Sequence, residues 1–243
     1  MTRGIWFGLL VGLIILGAVG PALAQDISID FGDGTSLATR SVQLLLLITV
    51  LSIVPGLAVM ITCFPFIVTV LSILRQAIGL QQSPPNMLIV SLALFLTWFV
   101  MDPVLTEAWN QGVEPLTAGL IDVQSAIPRI LEPFRIFMSA RLDPETFDAL
   151  QALRPQTPTA IVDAPLSVLV PSFILSEIQR AFEIGFLIFL PFLVIDLVVA
   201  AVLMSMGMMM VPPAVVALPF KLAFFVVADG WTLISGALVR SYF

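Results

Sequence analysis

The 243-residue chain is 59% hydrophobic and 11% charged, whereas an average soluble domain is about 45–50% apolar and about 25% charged. A water-soluble core cannot absorb that excess, so lipid or apolar protein must surround much of the chain. The net charge of −6 argues against nucleic acid as a partner, and the absence of histidine excludes Ser-His-Asp nucleophiles, Cys-His nucleophiles and His-ligated metals.

Residues 1–24 have the parts of a secretory signal peptide. Arg3 supplies the positive start, residues 5–19 are apolar, and residues 22–24 (Ala-Leu-Ala) form a small-x-small cleavage site. The alternative is a first transmembrane anchor that is retained. Cleavage is favoured because the charged segment 25–40 follows at once, and this short segment would then lie in the periplasm.

Residues 41–103 are predicted to form a first apolar helical hairpin. The uncharged stretch 41–74 is too long for one straight span, which takes about 20 helical residues. Pro55 and Pro65 are therefore expected to divide it into two helical pieces. A further apolar helix over residues 87–101 completes the hairpin.

Polar residues and turn-forming residues mark the ends of these helices. A turn containing Gly79 follows Arg75, and Asn86 is the predicted N-cap of the next helix. Asp102-Pro103 is predicted to end that helix because proline cannot donate a backbone hydrogen bond.

Residues 104–183 differ from the rest because they hold most of the acidic residues and many prolines. Asp143 followed by Pro144 has the pattern of an N-cap and a first helical proline. One apolar helix face is predicted from Leu116, Leu120, Ile121 and Ile127. We interpret this segment as a small helical module in the periplasm.

Residues 184–243 are predicted to form a second apolar hairpin, with helices over 184–203 and 211–227. If the mature chain starts outside the cytoplasm, the link between these helices faces the cytoplasm and the module faces the periplasm. The predicted fold class is all-α: membrane-associated helical hairpins with proline-broken apolar helices and a small helical periplasmic module.

Two opposite charges, Asp196 and Lys221, fall inside the helices of the second hairpin. Charges within apolar spans are costly and mark candidate functional sites. Antiparallel helices folded about the link would bring both charges to a similar depth, where pairing reduces the desolvation cost. The pair is either a fixed salt bridge or one that breaks when a gate opens, within one chain or between subunits.

Half of the chain's ten methionines lie in the link. They are Met204, Met206, Met208, Met209 and Met210. Methionine is flexible and polarizable, so it packs against changing surfaces. The cluster is either an apolar hairpin tip packed on its neighbours or, repeated around a ring, a deformable constriction that closes a pore.

The remaining polar candidates have no catalytic pattern. Glu177, Arg180 and Glu183 are spaced three apart and are expected to form a solvated, mutually paired helix face. Asp229 is predicted to cap a helix or line a wet cavity, and Arg75 is a further candidate for polar or assembly contacts. No catalytic residue, metal-ligand cluster or cofactor is predicted, so the chain is not expected to be an enzyme.

Several blocks of the sequence are distinctive. They are RQAIG (75–79), SPPN (83–86), LALFLT (92–97), the block 176–186 containing SE and AFEIGF, IDLV (195–198), GMMMVPP (207–213), LPFKL (218–222) and DGW (229–231). In these blocks the chain resembles the FliP family of type III secretion export-gate subunits, and the likeness covers most of residues 41–240.

The resemblance implies a homo-oligomeric ring, a pentamer, joined by FliQ- and FliR-like subunits and next to FlhA- and FlhB-like export proteins. The ring is the entry portal for unfolded flagellar proteins, in the basal body at the bacterial inner membrane. The family's methionine loop is regarded as a gasket, which here falls on Met208, Met209 and Met210, with Met204 and Met206 beside them. Asp196 and Lys221 match polar positions of the family.

Two rival classes remain open on the residues alone. A small-molecule or ion transporter suits broken helices and a mid-span charge pair, although no inverted repeat is visible. An intramembrane enzyme would need a paired catalytic constellation that the sequence lacks. Copurification with FliQ- and FliR-like partners would separate the export gate from both.

Cleavage after Ala24 predicts that the mature chain begins at Gln25. Signal peptidase recognises the small residues before this position, so N-terminal sequencing of the membrane-extracted protein should read Gln-Asp-Ile. An intact Met1 in the assembled protein would contradict both the cleavage and the orientation derived from it.

Overall fold

The computed structural model describes residues 37–80, 84–154, 160–208 and 210–243. Every regular element within these ranges is helical, which confirms the predicted all-α fold. The predicted signal peptide, most of the segment 25–40 and Met209 lie outside the described residues.

The helices are numbered here in chain order. They are α1 (Leu37–Met60), α2 (Phe64–Ile78), α3 (Asn86–Ala108), α4 (Glu114–Thr117), α5 (Val123–Arg141), α6 (Pro144–Ala152), α7 (Leu166–Ser205), α8 (Pro213–Val227) and α9 (Gly230–Arg240). A π-helical turn at Trp109–Val113 joins α3 to α4, and a 3-10 turn at Ile161–Asp163 precedes α7.

The chain divides into two compact units, Met1–Val50 and Leu51–Phe243. Of the first unit the structure describes the start of α1, whose side chains are exposed from residue 41 onward. The second unit contains the end of α1 and all other described helices. All packing described below belongs to this second unit.

Internal prolines interrupt the helices less than the sequence predicts. Pro55 lies inside α1, and α3 continues through Pro103 to Ala108, so the predicted breaks at these positions are wrong. In an apolar setting, unpaired backbone groups cost several kcal/mol each, which favours continuing the helix despite one lost hydrogen bond. Pro65 behaves as predicted because it lies in the first turn of α2, where no backbone donor is needed.

The longest helix, α7, is also longer than predicted. It begins at Leu166 and not at Ile184, and it includes Pro171 and Pro191. It therefore crosses residue 183 without interruption, where the sequence predicts the end of the module. The last part of the module and the first helix of the second hairpin therefore belong to one continuous helix.

Helix α2 forms the centre of the main core. The side chains of Phe66, Ile67, Val70 and Leu74 are fully buried, and each such burial contributes about 1.5–3 kcal/mol. Its most extensive packing is against α7. The two helices approach closely at Gly185, where an added Cβ would lie 2.4 Å from Cδ1 of Ile73.

A second, smaller core lies between α5, α6 and the start of α7. Its buried side chains include Met138, Leu142, Phe147, Leu169 and Phe173. Asp143 caps α6 by accepting hydrogen bonds from the backbone N–H of Thr146 at 2.9 Å and from its hydroxyl at 2.7 Å, which confirms the predicted N-cap. The Thr146 hydrogen bonds lower the pKa of Asp143.

The predicted apolar face around Leu120 and Ile127 does not form. Leu116 lies in α4 and Ile127 in α5, and a turn at Gly119 (φ 69°) separates the two helices. Leu120 and Ile127 are both exposed. The prediction is wrong because it assigned residues on both sides of a turn to one helix.

In the part of the chain that the structure describes, three helical segments are long and apolar enough to cross a membrane. They are Ser41–Met60, Asn86–Thr117 and Leu166–Ser205. Helices α8 and α9 together meet the same test but are bent by 61°. The sequence did not predict α9. The bend places Gly230 against the ring of Phe225, where an added Cβ would lie 2.1 Å from Cε2.

Replacing Gly185 with alanine should destabilise the second unit by about 1–3 kcal/mol, because the new methyl group collides with Ile73. Thermal unfolding of the detergent-solubilised protein measures the loss. Gly56→Ala is the matched control, since no atom lies within 4 Å of the added Cβ. Ile73→Val removes the colliding Cδ1 and should restore part of the stability; equal stability of Gly185→Ala and wild type would contradict the close approach.

Candidate functional site

The mid-span charges Asp196 and Lys221 lie together in the structure. Nζ of Lys221 is 2.6 Å from Oδ2 of Asp196 within one chain. The Lys221 side chain is 7% exposed, whereas that of Asp196 is 37% exposed. Lys221 is therefore the buried member of the pair, and losing its carboxylate partner would leave a charge in an apolar environment.

Lys221 has a second partner that the sequence did not indicate. Its Nζ also donates to the carbonyl oxygen of Ala77 at 3.1 Å. Ala77 lies in the last turn of α2, which ends at Gly79 in the left-handed conformation (φ 87°). The final carbonyls of a helix lack intrahelical donors and carry partial negative charge. Lys221 thus joins α8 both to α7 and to the end of α2.

A second buried charge, Glu177, lies toward the other end of α7. Its side chain is 0% exposed, and Oε1 accepts a hydrogen bond from Nε of Arg141 at 3.1 Å. The hydroxyl of Tyr242 donates to Oε2. Arg180, one turn along α7, is more distant at 3.9 Å.

The predicted solvated face at Glu177, Arg180 and Glu183 is therefore only partly correct. Glu183 is exposed and accepts a hydrogen bond from the side chain of Gln179 at 3.1 Å. Glu177 is buried because α5 and the segment after α9 cover it. Spacing along one helix cannot show which of its turns another element covers.

The guanidinium of Arg141 bridges Glu177 and the segment after α9. Nη1 of Arg141 donates to the carbonyl oxygen of Ser241 at 2.7 Å. The guanidinium carbon lies 4.0 Å from the ring centroid of Tyr242, within the range of a cation–π contact. Burial and the neighbouring Glu177 carboxylate raise the pKa of Tyr242, so its hydroxyl stays protonated and remains a donor.

Arg75 and Asp229 lie at turns. Arg75 donates a hydrogen bond to the side chain of Asn86 across the turn between α2 and α3. Asn86 is the first residue of α3 and Pro85 is the N-cap, so the predicted N-cap at Asn86 is wrong. Asp229 joins α8 to α9 in the left-handed conformation (φ 47°), and its side chain makes no capping hydrogen bond.

The four described methionines at the link between α7 and α8 face outward. Met204, Met206 and Met208 are exposed, and Met210 is 98% exposed. Gly207 (φ 75°) ends α7: its N–H donates to the carbonyl of Met204, and the N–H of Met208 donates to that of Leu203, both at 3.0 Å. This pair of bonds is a Schellman motif.

The polar side chains of the site hold helices together. Within the described ranges, no group of three or more His, Cys, Asp or Glu side chains could hold a metal ion. On α7 the buried Glu177 and the half-buried Asp196 each have a cationic partner. The sequence did not indicate that Arg141, Ser241 and Tyr242 belong to the site. No spacing pattern links residues so far apart in the chain.

The fold and the site define an all-helical membrane protein whose apolar helices are joined through buried ion pairs. The model of the FliP family matches residues 47–238. Relatives described as flagellar biosynthetic protein FliP include one from Caulobacter vibrioides, 50% identical over 91% of this chain and 84% of the relative.

The corresponding relative from Agrobacterium fabrum is 47% identical over 94% of this chain and 96% of its own length. That from Bacillus subtilis is 44% identical over 84% of this chain and 93% of its own length. The chain belongs to the FliP family. The resemblance noted in the sequence is thereby confirmed.

Replacing Asp196 with alanine should leave Lys221 buried with only the Ala77 carbonyl, at a cost of roughly 3–5 kcal/mol for a broken buried pair. We expect loss of folded, assembled protein and of motility. Glu183→Ala, an exposed acid on the same helix, is the matched control and should be neutral.

Exchanging the two charges (Asp196→Lys with Lys221→Asp) should recover only part of the function. The new carboxylate at position 221 would face the carbonyl of Ala77 and the negative end of α2. Immunoblotting of membranes and motility assays measure both variants. Normal assembly and swimming of the Asp196→Ala variant would show that the ion pair is not required.

Proposed function

We propose that this chain is a structural subunit of the flagellar type III protein-export gate and forms a ring-shaped pore for unfolded flagellar proteins at the inner membrane. As a member of the FliP family it is a component of the flagellar export apparatus. The ring, the pore and the gasket are our inference. The observation that carries them is the exposure of the methionine link.

The methionine link is suited to line a pore because the rest of its own chain leaves its described methionine side chains exposed. Met204, Met206, Met208 and Met210 are all exposed, at the tip of a hairpin that the Asp196–Lys221 pair fixes further along. Exposed apolar clusters mark surfaces that another molecule covers. In a ring, the links of neighbouring subunits would cover one another around a common axis.

A ring of methionines would close such a pore without any titrating group. An apolar constriction loses its water when it is narrow, and ions do not cross a dry segment. Methionine has no branched carbon and several rotatable bonds, so it can withdraw for a bulky chain and return. Gly207, with its positive φ, gives the link its sharp departure from α7.

The proposed partners follow from the family and from the exposed apolar helices. The span Ser41–Met60 is 0% buried within the chain, so lipid or other subunits must cover it. We assign this cover to further copies of the chain, in a pentamer, and to FliQ- and FliR-like subunits. FlhA- and FlhB-like export proteins would lie next to the ring, with the helical module on the periplasmic side.

The Asp196–Lys221 geometry weighs against the transporter alternative. A coupling-ion site needs ligand atoms that are free to bind the ion. Here Oδ2 of Asp196 holds Lys221, which also binds the end of α2. Among the described residues this leaves Oδ1 of Asp196 without a hydrogen-bond partner, and one oxygen is too few to replace the hydration shell of an ion. The pair is therefore better suited to fixing the hairpin that carries the methionine link.

Replacing Met208, Met209 and Met210 together with alanine should leave assembly intact but make the membrane leak ions or small solutes. Three long side chains are lost from every subunit, so the constriction widens enough to hold water. Leucine at the same positions keeps the volume with less flexibility, so we expect less leakage and slower export.

Membrane conductance and export should be measured beside the amount of assembled complex. Met87→Ala is the matched control, because Met87 is an exposed methionine at the start of α3 and not in the link. A triple-alanine variant that assembles, exports and does not leak would show that the link is not the seal.

A further inference from the structure

Glu177 needs two donors because its carboxylate is completely buried. Oε1 is satisfied by Arg141 Nε, and the hydrogen bond to Oε2 in the described part of the chain comes from the hydroxyl of Tyr242. Arg180 cannot replace Tyr242, since its closest approach to the carboxylate is 3.9 Å and is to Oε1. A buried carboxylate oxygen without a donor carries a large desolvation penalty.

Arg141 depends on the same short segment. Besides Glu177, its guanidinium bonds the carbonyl oxygen of Ser241 and lies over the ring of Tyr242. Residues 241–242 therefore contact both members of the buried ion pair. If this segment moved away, Arg141 would keep Glu177 and the more distant ring of Phe66, whose centroid is 5.9 Å from the guanidinium carbon.

The ring of Tyr242 also joins helices that are distant in sequence. Phe66 of α2 meets it edge-on at 5.6 Å between centroids, and Phe137 of α5 stacks on it at 6.0 Å. Glu177 adds α7 to this set. One side chain thus touches the central helix, the module and the longest helix of the protein.

A groove lies beside Tyr242 and Arg141, and Glu177 is not among its lining residues. The groove has a volume of about 390 Å³ and is lined by Tyr242, Arg141 and Phe137, together with residues of α3 such as Pro103 and Val104. It is open to the outside. Removing the ring would extend this groove to the Glu177 carboxylate and admit water to it.

We infer that residues 241–242 act as a strap whose Tyr242 closes the Glu177–Arg141 ion pair and holds α5 against α2 and α7. The strap is a conformational device of the fold, separate from the methionine link. Glu177 and the end of α7 at Ser205 are 28 residues apart, or about 42 Å along a helix. The strap therefore does not depend on the proposed pore.

The decisive variant is Tyr242→Phe, which keeps the ring and removes only the hydroxyl. We expect the midpoint of thermal unfolding to fall by roughly 3–12 °C, as for the loss of a hydrogen bond to a buried charge. Phe243→Ala is the matched control, because the neighbouring aromatic side chain is exposed. An unchanged midpoint for Tyr242→Phe would overturn the inference.

A double-mutant cycle separates the hydrogen bond from mere packing. In a Glu177→Gln background the buried charge is absent, so Tyr242→Phe should lower the midpoint by clearly less than in the wild type. Equal shifts in both backgrounds would show that Tyr242 acts independently of Glu177 and would also overturn the inference.

Hydrogen exchange tests the strap without relying on stability. In Tyr242→Ala, the backbone amides at the end of α5 should exchange faster than in Phe243→Ala, because α5 loses its hold on the core. Unchanged exchange would contradict the strap. The triple-alanine methionine variant should leave this exchange unchanged, and Tyr242→Phe should not increase conductance, so the two proposals can fail separately.

Discussion

The burial of α2 against α7 is the constraint on which the rest of the structure depends. The apolar side chains of α2 provide the main core, and Gly185 allows the two backbones to approach. Charged side chains then hold α2 and α7 together near both ends of α2. Glu177 and its partners lie near Phe66, while Lys221, paired with Asp196, donates to the carbonyl of Ala77. The two acids are 19 residues apart on one rod, or about 28 Å.

Such buried ion pairs are better understood as fixing the register of the helices than as sources of net stability. Taking both charges out of water costs about as much as their attraction returns, so a well-packed apolar pair would be equally stable. Apolar attraction, however, is not directional, so it discriminates less sharply between registers. A charge that has its partner at only one position makes every other register expensive. We interpret Lys221 and Arg141 in this way, since each bonds two separate elements.

The fastened part of the molecule contrasts with the methionine link at the end of α7. On the side of Lys221 away from the link, ionic and aromatic contacts hold the helices together. On the side of the link, the described methionines are exposed. A rigid base with a soft apolar tip suits a seal that must yield to passing chains and then close. The module core lies at the opposite end of α7, so one continuous helix connects the two regions.

The sequence by itself determined the helical class, the apolar spans, the N-cap at Asp143 and the proximity of Asp196 to Lys221, because each depends on local pattern or on one short hairpin. Only the tertiary structure decided that Glu177 is buried, that Lys221 also binds the end of α2, and that Tyr242 donates a hydrogen bond to Glu177. Those contacts join residues 65 to 144 positions apart, which helix periodicity cannot bring together. The helices that continue through Pro55 and Pro103 were missed for a different reason: the cost of unpaired backbone in apolar surroundings outweighs the local preference of proline to end a helix.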